Sequence, residues 1–105
     1  MAIPKRHRET LLVLTKASPH LVRKIILGAD VSLIRALSEC ALNILKGNVS
    51  LTPTRKRKLS MFKDNLRDLA TRKISMTKKK KVLQTGGFLP LLASVIAPLI
   101  LKSLF

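Results

Sequence analysis

The side chains able to do chemistry in this sequence are mostly cations. Lys and Arg number 21 against five Asp and Glu, for a formal net charge of +16. The densest runs are Arg55, Lys56, Arg57 and Lys58, and then Lys78, Lys79, Lys80 and Lys81. Lys63, Arg67, Arg72 and Lys73 fall between them. An ammonium loses its hydration on burial unless a carboxylate replaces it, so a run of four lysines reads as solvated. Such a surface suits a polyanion. Nucleic acid is the first candidate and an anionic membrane the second. Trp and Tyr are absent, and Phe62, Phe88 and Phe105 are the three aromatics. Single-strand binding by base stacking needs aromatic platforms, so the expected contact is with phosphates of double-stranded DNA, with little sequence preference.

Other chemistries find few residues. His7 and His20 have no carboxylate constellation or second ligand pattern around them, so both read as surface residues and no metal site is expected. Glu9, Asp30, Glu39, Asp64 and Asp68 are spaced as helix caps and ion-pair partners, not as paired catalytic acids. Asp64 with Arg67 and Asp68 with Arg72 stand at three- and four-residue spacing on one helix. Cys40 is the single cysteine, which excludes an intrachain disulfide, and it sits in an apolar periodic stretch as a small hydrophobe. Neither an enzyme nor a cofactor is expected.

The elements that must hold the cations read as helices, and the expected class is all-α. Ser18-Pro19 and Thr52-Pro53 are start signals, with a hydroxyl cap followed by a proline that has no N–H to satisfy. Asp30 caps the segment whose apolar positions are Leu33, Ile34, Leu37, Cys40, Ala41, Ile44 and Leu45. Gly28 and Gly47 are stops. Leu59, Phe62, Leu66 and Leu69 step by three, four and three along one helical face. Residues 1–8 read as a basic arm and 9–74 as a small domain of about four helices. Residues 75–87 read as a lysine-rich linker ending in a Gly86-Gly87 hinge, and 88–105 as a separate apolar segment. A domain this short buries a modest core, so a homo-oligomer is also expected to suit it.

The last segment has its own chemistry. Phe88, Leu89, Leu91, Leu92, Val95, Ile96, Leu99 and Ile100 are apolar, and no charge occurs before Lys102. As a helix, 88–105 is about 27 Å long, just short of a ~30 Å hydrocarbon core. Pro98 interrupts it. These residues are the expected contact with a membrane or a capsid or core protein. They leave two alternatives to DNA binding: a membrane-active or membrane-anchored basic protein, and a helical adaptor with its tail in a partner's groove.

The stretch Gly86-Gly87-Phe88-Leu89-Pro90-Leu91-Leu92, followed by Ile96-Ala97-Pro98-Leu99-Ile100, resembles the C-terminal part of the adenovirus core protein precursor X, the source of the mu peptide. Similar proteins occur in adenovirus-related DNA viruses, adintoviruses and Polinton-like elements. In that family a very basic segment precedes a Gly-Gly, and an apolar Leu-Pro-Leu-Leu tail follows. The resemblance spans residues 78 to 101 and has no counterpart to 9–74. It implies a virion core protein that binds and condenses packaged double-stranded DNA. It also implies a location in the virion core and host nucleus, and processing at Gly86-Gly87 by the viral cysteine protease. This chain departs from the family in being lysine-rich and in placing Gln84 two residues before the glycines. Outside a viral setting, the same composition implies a nuclear or membrane-associated protein.

Overall fold

The computed structural model describes the backbone of residues 5–104 and the side chains of residues 5–98. The protein is all-α. Its helices are α1 (Lys5–Leu14), α2 (Pro19–Leu27), α3 (Val31–Leu45), α4 (Pro53–Ser60), α5 (Lys63–Ala70), α6 (Met76–Leu83) and α7 (Phe88–Leu104). Four starts are set by local side chains. The hydroxyls of Ser18, Thr52 and Ser75 accept from the N–H groups of Leu21, Arg55 and Lys78 at 3.2 Å. The carboxylate of Asp30 accepts from Leu33 N–H at 2.9 Å. Each bond satisfies one of the donors that a helix N-terminus leaves unpaired. Gly28 is the C-cap of α2. Gly47 follows α3 with φ +76°, a conformation that residues with a Cβ rarely adopt.

Residues 5–8 of the expected basic arm are helical, and residues 1–4 lie outside the described residues. Helix α1 begins at Lys5, and His7 is buried. A single helix through Leu59, Phe62, Leu66 and Leu69 is also corrected. The chain breaks at Met61–Phe62, where tight turns join Met61 N–H to the Lys58 carbonyl and Phe62 N–H to the Leu59 carbonyl. Packing explains the break: the bend lets the Phe62 ring lie against Phe88, centroids 5.5 Å apart, while Leu66 and Leu69 point into the core.

Helix α3 is the centre of the fold. Leu33, Ile34, Leu37, Cys40, Ala41 and Ile44 face inward, and α5 and α6 pack against it. Leu45, expected on that face, is 41% exposed.

The main departure from expectation is α7. Phe88, Leu89, Leu92, Ala93 and Ile96 are completely buried and Val95 nearly so, in the same cluster as the α3 residues. Helix α1 packs along α7, and α4 also touches it. Residues 88–98 are therefore not a separate segment: their apolar face belongs to the same core. The physical reason is area. The five short helices α1, α2, α4, α5 and α6 around α3 leave an apolar surface that needs a cover, and α7 supplies it from the same chain. The radius of gyration is 12.5 Å, close to the ~13 Å of a compact chain of about 100 residues.

Nor is Gly86-Gly87 a free hinge. Gly87 has φ +80°, Phe88 N–H donates to the Thr85 carbonyl at 3.1 Å, and α7 leaves α6 at 89°. The glycines form a corner of fixed shape.

Candidate nucleic-acid interface

The sequence-predicted cations lie on three consecutive helices and on the turn between the last two. In α4 four successive residues are basic, and successive helical residues are about 100° apart, so the charges circle the helix. Only Leu59 of α4 is buried. Arg55, one turn before it, is half-buried, whereas Lys56, Arg57 and Lys58 are exposed. In α5, Lys63 and Arg67 are exposed one turn apart, opposite the buried Leu66 and Leu69. Arg72 and Lys73 are exposed in the turn that leads to α6. In α6, Lys78 and Lys81 are exposed and Lys80 is half-buried.

Helices α5 and α6 form an antiparallel hairpin. Its open end is tied by Asn65 Nδ2, which donates to Thr85 Oγ1 at 2.9 Å. The pairing sets Lys63 and Arg67 on one arm, Lys78 and Lys81 on the other, and Arg72 and Lys73 at the tip. The expected internal neutralisation does not form: among the described residues no ion pair joins Asp64 or Asp68 to Arg67 or Arg72.

Lys79 is the exception to the predicted surface. It is 5% exposed, on the inward face of α6 one turn from the fully buried Leu83. Its ammonium donates to Ser38 Oγ of α3 at 3.1 Å, and Ser38 donates in turn to the Ile34 carbonyl at 2.9 Å. Burial holds the Lys79 pKa below the usual lysine value. Met76, Lys79 and Leu83 are spaced by three and four, so the inward register was present in the sequence but hidden by the lysine run.

The apolar residues expected to meet a membrane or partner are corrected for the same reason as α7. Phe88, Leu89, Leu92, Val95 and Ile96 are spent on the core, and Leu91 is half-buried against it. Leu99 and Ile100 lie outside the residues whose side chains are described. Among the described residues no single helix is long and apolar enough to cross a membrane. Gly86 and Gly87 are exposed at their corner, between the buried Leu83 and Phe88.

A second cluster was invisible in the sequence. An open groove of about 460 Å³ runs between α1 and the α2–α3 junction, lined by Val13, Ile25 and Leu33 and, at its polar end, by His7, Glu9 and Asp30. His7, read as a surface residue, is buried there, with Nε2 against Ser32 Oγ. Arg6 donates to the same hydroxyl at 2.6 Å, and Ser32 donates to Asp30 at 3.1 Å. The Asp30 pKa is held below the usual carboxylate value, first by Leu33 N–H and then by Ser32, with His7 and Arg6 adding attraction. This is helix-cap chemistry. The carboxylate engages the serine and a backbone N–H, instead of orienting the far nitrogen of the imidazole as a serine nucleophile needs. Cys40 is buried, and burial pushes its thiol up to about 12, which leaves it unreactive. Among the described residues no group of His, Cys, Asp and Glu is placed to hold a metal ion.

No family model, curated protein or solved structure matches this chain.

Proposed function

We propose that the protein binds double-stranded DNA through its phosphates, without sequence preference, and condenses it. The observation that carries this reading is the α4–α6 surface: exposed lysines and arginines on three adjacent helices with no ion pair to Asp64 or Asp68. Cations that lack internal partners are available to release the counterions of a duplex, which is the main source of non-specific affinity. Placement of the aromatics favours duplex over single strand. Phe88 is fully buried and the half-buried Phe62 ring lies tilted against it, so both rings are engaged within the fold and not set out as platforms for unpaired bases. The resemblance of residues 78–101 to an adenovirus-type core protein precursor supports a virion core as the setting of this activity. Processing at Gly86-Gly87 by a viral cysteine protease belongs to the same proposal.

Salt titration of binding to a mixed-sequence duplex of about 20 base pairs tests it. With about six phosphates neutralised, log K should fall against log salt with a slope near −5. Replacing Lys78, Lys80 and Lys81 by Ala should flatten that slope by up to ~3. A slope near zero for the full chain would reject the reading.

A further inference from the structure

Lys79 is the one member of the lysine run that the fold takes away from solvent, and it does so without a carboxylate. Its neighbours on the inward face are Met76, Leu83 and the α3 surface, and its polar partner is a serine hydroxyl. A hydroxyl gives one hydrogen bond and no countercharge, so the ammonium is poorly compensated where it lies. The burial is also shallow. Neighbouring side chains cover the amine, but Ser38 and Lys80 beside it are only half-buried. A lysine stem spans four methylenes, and long cationic side chains routinely lie along apolar surface with the head directed elsewhere. The same backbone position can therefore direct the ammonium inward to α3 or outward beside Lys78 and Lys80.

From this geometry we infer that Lys79 is a latent phosphate contact, docked on Ser38 in the free protein and released onto the DNA backbone in the complex. The inference rests on the DNA-binding reading above. A phosphate supplies the countercharge that Ser38 lacks, so DNA binds the released arrangement better and draws the population toward it. The free protein keeps the amine out of non-specific surface contacts, and the complex gains one cation that the exposed surface does not display. Ser38 sets the balance: the stronger its hold on the amine, the smaller the fraction of molecules ready to use it.

Two substitutions in the full chain test this against the same duplex. Lys79→Met should shift the salt slope toward zero by about 0.9, as much as Lys78→Met does, although Lys79 is buried in the free protein. Ser38→Ala should leave the slope unchanged and tighten binding several-fold, because the released arrangement no longer competes with a hydrogen bond. A Lys79→Met slope equal to wild type, with Lys78→Met still shifting it, would show that Lys79 stays docked and would overturn the inference while leaving DNA binding intact. Unchanged or weaker binding by a folded Ser38→Ala protein would overturn it too. Loss of all salt dependence in the wild-type chain would reject the DNA reading itself.

Discussion

Helices α6 and α7 meet at one corner and could hardly differ more in composition. Helix α6 has four lysines in eight residues, and α7 has no charge before Lys102. Composition would assign one to solvent and the other to a lipid or a partner. In the fold both touch the same core, and each breaks its own rule: α6 turns a lysine inward, and α7 packs Phe88 to Ile96 into the core of its own chain. What decides is the position of a residue on the helix face. Lys79 is inward because Met76 and Leu83, three before and four after it, are the anchors of α6. The apolar run of α7 is inward because Phe88, Leu89, Leu92, Ala93 and Ile96 fall on one stripe that faces the core, with α1 and α4 packed against the helix.

The largest effect should come from treating α7 as dispensable. A chain ending at Gly87 loses six buried residues of the core cluster, Phe88 among them, and should lack the cooperative thermal transition of the full protein. A milder version is Phe88→Ala, expected to cost about 3–5 kcal/mol, next to Leu37→Ala on α3 at about 2–5 kcal/mol. Both side chains are fully buried in one cluster. Comparable losses in denaturant melts would confirm that α7 is as much a core helix as α3. Folding of the truncated chain with an unchanged melting temperature would restore the picture of a detachable tail.

Much of the fold was legible in the sequence because caps are local. Ser18, Asp30 and Thr52 each act on the N–H three residues ahead, and that signal needs no knowledge of the rest of the chain, whereas the Ser75 cap of α6 lay in a stretch read as a linker. The apolar stripe of α3 was legible through its period, with Leu45 misplaced by one position on the edge of the face. Long-range packing was not legible. Nothing near Phe62 announces that its partner is Phe88, and so the break at Met61–Phe62 passed as continuous helix. His7 was misread similarly, because its partners Ser32 and Asp30 are about 25 residues away and belong to the cap of α3. At the candidate interface, Lys56–Lys58, Lys63, Arg67, Arg72, Lys73, Lys78 and Lys81 were placed on the exposed surface as expected, and Lys79 was not.

A smaller effect sharpens the α6 side. Replacing Lys79 by Met removes a poorly compensated cation and leaves Ser38 still bonded to the Ile34 carbonyl. The variant should be more stable at neutral pH by about 1–3 kcal/mol. The pH dependence has a definite sign. The Lys79 pKa is lower in the folded protein than in the unfolded chain, so the unfolded state binds more protons between the two values. The penalty is fully present below the folded value and disappears as pH rises to the ordinary lysine value. The gain of Lys79→Met over wild type should therefore shrink as pH approaches 10.5. A gain that stays constant with pH would mean that Met improves packing alone and that charge burial is not the cause.

The smallest effect separates a corner from a hinge. If Gly86-Gly87 were a flexible joint, alanine at either position would be equally tolerated. The geometry distinguishes them. Gly87 has φ +80°, where a Cβ is opposed by its own backbone, and the nearest foreign atom is the Phe62 ring at an ordinary 3.9 Å. The cost at Gly87 is thus conformational and not steric, at about 1–2 kcal/mol for Gly87→Ala. Gly86 has no positive φ, and nothing lies within 4 Å of an added Cβ, so Gly86→Ala should be neutral or stabilising by up to ~1 kcal/mol through the unfolded chain. Thermal melts of the two single variants read the difference directly. Equal small changes at both sites would mean that the junction does not hold one conformation, and α7 would then be anchored by its buried side chains without help from the turn.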